Sequence, residues 1–346
     1  MRGRVNRGVL VTGGVGVLAA LGWVLVAVLG GQAMPSYLGA WLFGLGIPMG
    51  ALPLVMALEW FGAEEAGLLG VLRRLLLLLP AGAVLAVPVL VMSGGLFGVQ
   101  AGHGIPGWWV APGFLVTRAV VILVVMAGLA LLFSSTPRRP RLGLAVLGGM
   151  VYATAASVAA VDWVLAVQPG LGSSLVGVLL MVAQAGLAAS LAGFVVAVRT
   201  PRGGQVPAPL ALMLVLLLAT WGFVHFVQFL TIWSANLPEE ATWYLARSSG
   251  LGGFGMGFGA ACVVLGCAVL PTPLGRAPVV LATLAAMVLL VHLGEAFWLV
   301  TPAFRGVFRL TGTDVLAALG VGGLLLALLL MLMPRDARQM EARHAA

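Results

Sequence analysis

Apolar residues fill this chain in ten long blocks, separated by short stretches where arginine, proline, glycine and acidic residues collect. The blocks run roughly over 9–29, 36–58, 74–96, 113–133, 142–166, 174–198, 208–233, 248–270, 277–300 and 314–334. Each is near or above the roughly 20 residues that an α-helix needs to cross a hydrocarbon core. The pattern predicts an all-α, polytopic membrane protein with about ten transmembrane helices in a single integral membrane domain, 1–346. The first block is longer than a signal-peptide core and lacks a small-residue cleavage pattern before a polar region, so it reads as a retained helix.

Composition excludes a soluble domain: 62% of residues are hydrophobic and only 8% charged, too little polar surface for 346 residues. The formal charge of +8 comes from arginine, with no lysine present. Such a balance raises nucleic acid as a partner, but the arginines sit in short loops between apolar blocks and report topology instead. With a cytoplasmic N-terminus, the inner segments hold Arg2, Arg4, Arg7, Arg73, Arg74, Arg138, Arg139, Arg141, Arg199, Arg202, Arg276, Arg335, Arg338 and Arg343. The outer loops then hold only Arg247, Arg305 and Arg309, so both termini are expected inside.

Three apparent signatures lose their force in this setting. The glycine run Thr12–Ala19 imitates a dinucleotide fingerprint but follows no strand and lies in a membrane helix, so its glycines are expected to serve packing. Gly253, Gly255, Gly257 and Gly259 give small-xxx-small spacings suited to close helix approach. Cys262 and Cys267 are five apart on one helix, a spacing from which no disulfide, haem attachment, iron–sulfur or zinc site can be built.

The chemistry must therefore come from the few polar groups inside the helices. The stretch 221–244 begins as an apolar helix with His225 and Gln228 three apart on one face. It then breaks at Asn236 and Pro238 into an acidic, aromatic loop whose Trp233, Trp243 and Tyr244 suit a membrane surface. Arg118, Asp162, His225 with Gln228, and His292 with Glu295 all fall in the outer half of their helices. At roughly 1.5 Å per residue they lie within about 15 Å of the outer surface. A structural reading makes Arg118 the partner of Asp162 or Glu295, as glue between helices. A functional reading makes Asp162, Glu295, His292 and Arg118 one cluster handling protons or quinol, with His225 and Gln228 as candidate quinone contacts. Glu239 and Glu240, outside the membrane, are candidates for docking a partner with basic groups.

Three stretches carry a family resemblance: Phe229–Tyr244 (FLTIWSANLPEEATWY), Val161–Leu165 followed by Gln168-Pro169, and His292–Pro302 (HLGEAFWLVTP). Together they resemble the ActF-type membrane subunit of alternative complex III, a bacterial quinol:cytochrome c oxidoreductase, itself related to polysulfide-reductase membrane subunits. The resemblance implies two four-helix bundles flanked by single helices, in the bacterial cytoplasmic membrane. It implies no covalently bound cofactor in this chain, quinone or quinol as the candidate ligand, and haem and iron–sulfur clusters only in partner subunits. Those partners would be iron–sulfur and multihaem cytochrome subunits and a homologous membrane subunit. It also matches Asp162, Glu239, Glu240 and Glu295 to the family's acidic positions.

The chain departs from the family pattern at the inner end of the second helix, which reads Ala57-Leu58-Glu59-Trp60 in place of a histidine. The eighth helix offers Gly255-Met256-Gly257-Phe258. Two other function classes fit the residues: a structural scaffold, and a secondary transporter in which Pro48, Pro53, Pro80 and Pro88 break helices 2 and 3.

Overall fold

The computed structural model describes residues 7–29, 33–61, 66–97, 106–135, 142–168, 171–201 and 203–333. These residues form helices and connecting turns, with no strand among them. Ten spans are long and apolar enough to cross a membrane, which makes this a multi-pass α-helical membrane protein.

Nine of the spans are α1 (Arg7–Val28), α2 (Met34–Trp60), α7 (Pro112–Ser134), α8 (Leu142–Trp163), α9 (Val176–Arg199), α10 (Ala208–Ala235), α12 (Leu251–Val269), α13 (Pro278–Val300) and α15 (Gly312–Leu332). The third is broken into α3 (Ala66–Leu76), α4 (Leu79–Val84) and α5 (Val87–Val91), with α6 (Ser93–Phe97) following. It starts earlier than the apolar block at 74–96 suggests, because Arg73 and Arg74 form the last turn of α3 and lie within the span. Two short helices, α11 (Pro238–Ser248) and α14 (Pro302–Arg305), lie between spans.

Proline acts differently in the two helices that the transporter reading would break. The second helix runs unbroken through Pro48 and Pro53. In the third span the Ala86 amide turns back to Ala83 O, and Trp41 Nε1 on α2 donates to Gly82 O at 2.9 Å instead. Tyr37 on α2 likewise donates to Leu85 O at 2.8 Å. Two aromatic donors thus seal a helix break that lipid would penalise by several kcal/mol per bare carbonyl.

Packing gives two bundles. The first holds α2, the broken third span, α7 and α8; the second holds α9, α10, α12 and α13. They join along α2 and α9, whose backbones nearly touch: a Cβ on Gly50 would lie 1.8 Å from Gln184 O. The two flanking helices are the first and last spans, α1 and α15. They form a pair, α1 on α15, which leans through α15 on α2. The seam is glycine: a Cβ on Gly16 would meet Leu324 N at 2.8 Å, and one on Gly323 would meet Gly16 Cα at 2.8 Å. So the glycine run in α1 does serve packing. By contrast, Gly255 and Gly257 have open space at their would-be Cβ positions, so the small-residue spacing in α12 is only partly used, by Gly259 against Trp221.

The expected loop after α10 is corrected to a helix. Asn236 ends α10 in the left-handed conformation with φ 51°, and Pro238 then opens α11 with Glu239 and Glu240 in its first turn, where the helix dipole favours acids. Trp243 and Tyr244 are buried under this helix rather than lying at the surface, whereas Trp233 is 69% exposed.

Candidate functional site

In the second bundle, α10 places Trp221 and His225 one turn apart on the face turned to α13, and α13 places His292 and Glu295 one turn apart on the facing side. The four side chains meet at the Glu295 carboxylate. His225 Nε2 lies 2.7 Å from Oε1, His292 Nδ1 lies 2.8 Å from Oε2, and Trp221 Nε1 donates to Oε1 at 2.9 Å. An ionised carboxylate only accepts, so both imidazole nitrogens carry hydrogens toward it. The Trp221 ring packs edge-on to both imidazoles, at 4.6 and 5.4 Å between centroids. Trp221 was not evident in the sequence as a partner, although its i, i+4 spacing to His225 shares a face.

Arg118 and Asp162 belong elsewhere. They meet between α7 and α8 of the first bundle, where Nε and Nη2 of Arg118 donate to the two carboxylate oxygens at 2.7 Å each. Trp109 Nε1 adds a third donor to Asp162 at 2.9 Å, and Arg118 lies over the Trp109 and Phe114 rings at 4.1 and 4.5 Å. Asp162 is fully buried. The single cluster expected from depth along the helices is therefore two sites in two bundles. Helix depth fixes position along the membrane normal but says nothing about which helices are neighbours.

Gln228 does not join Glu295 either; it accepts a hydrogen bond from Ser173. The aromatic end of the second bundle is organised by Arg247, which was assigned to an outer loop and is 2% exposed. Pro302 has no N–H for Trp298 O, and Arg247 Nε donates there at 3.0 Å. Its remaining donors reach Trp243 O at 2.9 Å, Leu299 O at 3.0 Å and Gln168 Oε1 at 2.6 Å. The Trp243 ring lies under the guanidinium at 3.9 Å. Burial pulls the Arg247 pKa down to about 9, which leaves it charged at neutral pH. Gln168 completes the knot by accepting from Trp243 Nε1 at 2.9 Å and donating to Leu299 O. Arg247 thus clamps α11 to the end of α13, one turn beyond Glu295.

Glu239 is exposed and Glu240 half-buried at the start of α11. Two further ion pairs escaped the sequence reading. Glu59, near the end of α2, pairs with Arg73 of α3 at 3.0 Å. Arg305 binds both oxygens of Asp314 at 2.8 and 2.9 Å and also reaches Ser36, tying α14 and α15 to α2.

Two narrow clefts adjoin the Glu295 group, each with room for water rather than for a ring-sized ligand. One lies among α2, α9 and α13, lined by Phe43, Gly46, Gln184, His292, Glu295 and Leu299 among others. Gln184 is 4% exposed, and its Oε1 has no hydrogen-bond partner among the described residues. The other lies inside the second bundle, lined by Gly186, Ser190, Leu218, Cys262, Val288 and His292 among others. No grouping of three or more His, Cys, Asp or Glu suited to a metal ion occurs among the described residues.

Fold and site together define a multi-pass membrane protein with a carboxylate held between two imidazoles inside a helical bundle. No protein-family model matches the chain, and no curated protein matches it.

Proposed function

We propose that this chain is an integral subunit of a quinol-oxidising electron-transfer complex in the bacterial cytoplasmic membrane, and that its second bundle exchanges the protons released by quinol. The observation that carries this reading is the Glu295 group. Histidine is the side chain whose charge changes near neutral pH, and two imidazoles on one carboxylate form a short chain along which a proton can pass. Ionisable groups inside membrane spans are costly and mark proton or ligand routes. His225, the more exposed of the two imidazoles, is the group placed to meet a quinol hydroxyl. The Arg118–Asp162 pair has a different character. Arginine keeps its proton, and each carboxylate oxygen is already engaged, so the pair serves as structural glue between α7 and α8.

In this reading the arginine-rich face and both termini are cytoplasmic. The chain carries no redox group of its own and works with iron–sulfur, multihaem cytochrome and homologous membrane subunits. Glu239 and Glu240 on α11 offer those partners an acidic docking edge.

The broken third span favours a second reading, a secondary transporter, because transporters bind substrates and ions at unwound helices. Against it, the Gly82 and Leu85 carbonyls that could hold an ion are taken by Trp41 and Tyr37.

The test is affinity capture of the tagged chain from gently solubilised membranes, with quinol:acceptor turnover measured on the product. Co-purification of haem and iron–sulfur subunits, with turnover lost in Glu295→Gln, supports the proposal. Capture of the chain alone, without turnover, rejects it.

A further inference from the structure

At the arginine-rich end of the molecule, α3 packs on α9 and touches α15 beside the end of α2. Arg74 lies in the last turn of α3, Arg199 is the last residue of α9, and Met333 caps α15. Among the described residues Glu59 is the acid at this end, and it is held by Arg73 at 3.0 Å. The Arg74 side chain is left partly buried, with one hydrogen-bond partner among the described residues, the Met333 sulfur at 3.9 Å. A thioether is a weak acceptor and brings no charge. Arg199 is exposed, and its side chain meets no acid among the described residues. It stands near enough to Arg74 for the two positive charges to act on each other.

We infer that Arg74 and Arg199 form a binding site for the phosphate group of an anionic phospholipid. Two guanidinium groups offer planar forks of N–H donors that match phosphate oxygens, and an anion between them turns mutual repulsion into attraction to a shared partner. Position selects lipid over phosphate in solution. Val198, next to Arg199, and Met331, two residues before Met333, are exposed apolar side chains at the ends of their spans. They mark where the hydrocarbon core ends, and headgroup phosphates lie just beyond that level. Acyl chains running down α9 and α15 from this point add apolar contact that a free phosphate lacks. Basic pockets between spans on the cytoplasmic side are suited to such headgroups.

The site joins three parts of the fold. Arg74 belongs to the first bundle, Arg199 to the second, and Met333 to the helix pair that leans on α2. A phosphate held there neutralises the charge at their junction, so the lipid acts as a fastener between the bundles. Because it binds the folded arrangement and not the unfolded chain, it stabilises the protein in proportion to its concentration. Neither the Glu295 group nor any electron-transfer partner enters this argument.

The test uses the full chain, stripped of lipid in an uncharged detergent and titrated with phosphatidylglycerol, with bound lipid counted by native mass spectrometry and the unfolding temperature followed in parallel. Phosphatidylglycerol is expected to bind and to raise the unfolding temperature. Phosphatidylcholine, which has no net charge, and inorganic phosphate at the same concentration are expected to do much less. Arg74→Gln and Arg199→Gln should each weaken phosphatidylglycerol binding by roughly five-fold, the weight of one arginine beside an anionic lipid. Arg276→Gln removes a charge from the same end of the molecule, where Arg276 Nε is held by Val206 O at 3.2 Å, and should leave the affinity unchanged. Arg199 is exposed, so Arg199→Gln keeps the test open if Arg74→Gln does not fold. Four results would overturn the inference: phosphatidylcholine binding as well as phosphatidylglycerol, inorganic phosphate stabilising as strongly as the lipid, an equal loss in Arg276→Gln, or undiminished binding in folded Arg199→Gln.

Discussion

Arg118 holds Asp162 with two parallel hydrogen bonds of 2.7 Å, from Nε to one carboxylate oxygen and from Nη2 to the other. Removing one partner strands the other as an uncompensated buried charge, which costs about 3–5 kcal/mol. Arg118→Leu alone is therefore expected to lower the unfolding temperature sharply in detergent. Asp162 replaced as well, in Arg118→Leu/Asp162→Leu, should recover most of the loss, because exchanging a buried pair for packing is often neutral. A double variant as unstable as the single would mean that the pair does more than join α7 to α8.

For Glu295 the expected pattern is the opposite. Glu295→Gln keeps the shape and one acceptor oxygen for His225, His292 and Trp221, so the fold should survive with a loss of about 1–3 kcal/mol. Quinol-dependent turnover of the captured complex should fall by about 100-fold or more, the usual weight of a positioned proton-transfer group. Wild-type turnover in Glu295→Gln would remove the carboxylate from the proton route.

The Arg247 knot predicts that lysine is no substitute. A single ammonium cannot reach Trp298 O, Trp243 O, Leu299 O and Gln168 Oε1 together, as the guanidinium does. Arg247→Lys should cost about 2–4 kcal/mol, since at least one carbonyl is left bare where Pro302 withholds its N–H. Thermal unfolding and the tryptophan fluorescence of Trp243 and Trp298 would report it; an unchanged spectrum and stability would sink the clamp.

At the joint between bundles, Gly50→Ala places a methyl group where Gln184 O already lies, at 1.8 Å. The two helix backbones must separate, for an expected loss of about 3 kcal/mol or more. Gly255→Ala, which meets nothing within 4 Å, is the matched control and should be near neutral. Equal stability of the two variants in detergent would contradict the packing of α2 on α9.

Orientation can be read with single cysteines in a chain whose Cys262 and Cys267 are replaced by alanine. Leu237, before α11, and Leu274, between α12 and α13, are 52% and 62% exposed at opposite ends of the second bundle. An impermeant thiol reagent applied from outside the cell should label Leu237→Cys and spare Leu274→Cys. The reverse pattern would invert the topology argued from arginine.

The sequence by itself determined the class of protein and the number of spans, because a membrane-crossing segment must be long and apolar, and that requirement is local. It also picked out several polar groups within the spans, since Asp162, His225 with Gln228, and His292 with Glu295 stand out in otherwise apolar blocks. Which of them touch was decided by the tertiary structure. Helix rise places Arg118 and Glu295 at similar depth, but only the packing of α7 on α8, and of α10 beside α13 around α9, separates them into two bundles. Arg247 looked like a loop charge because a short amphipathic helix leaves a weak pattern. Its burial follows from the open carbonyls at the end of α13, a demand that the local sequence around Arg247 does not contain.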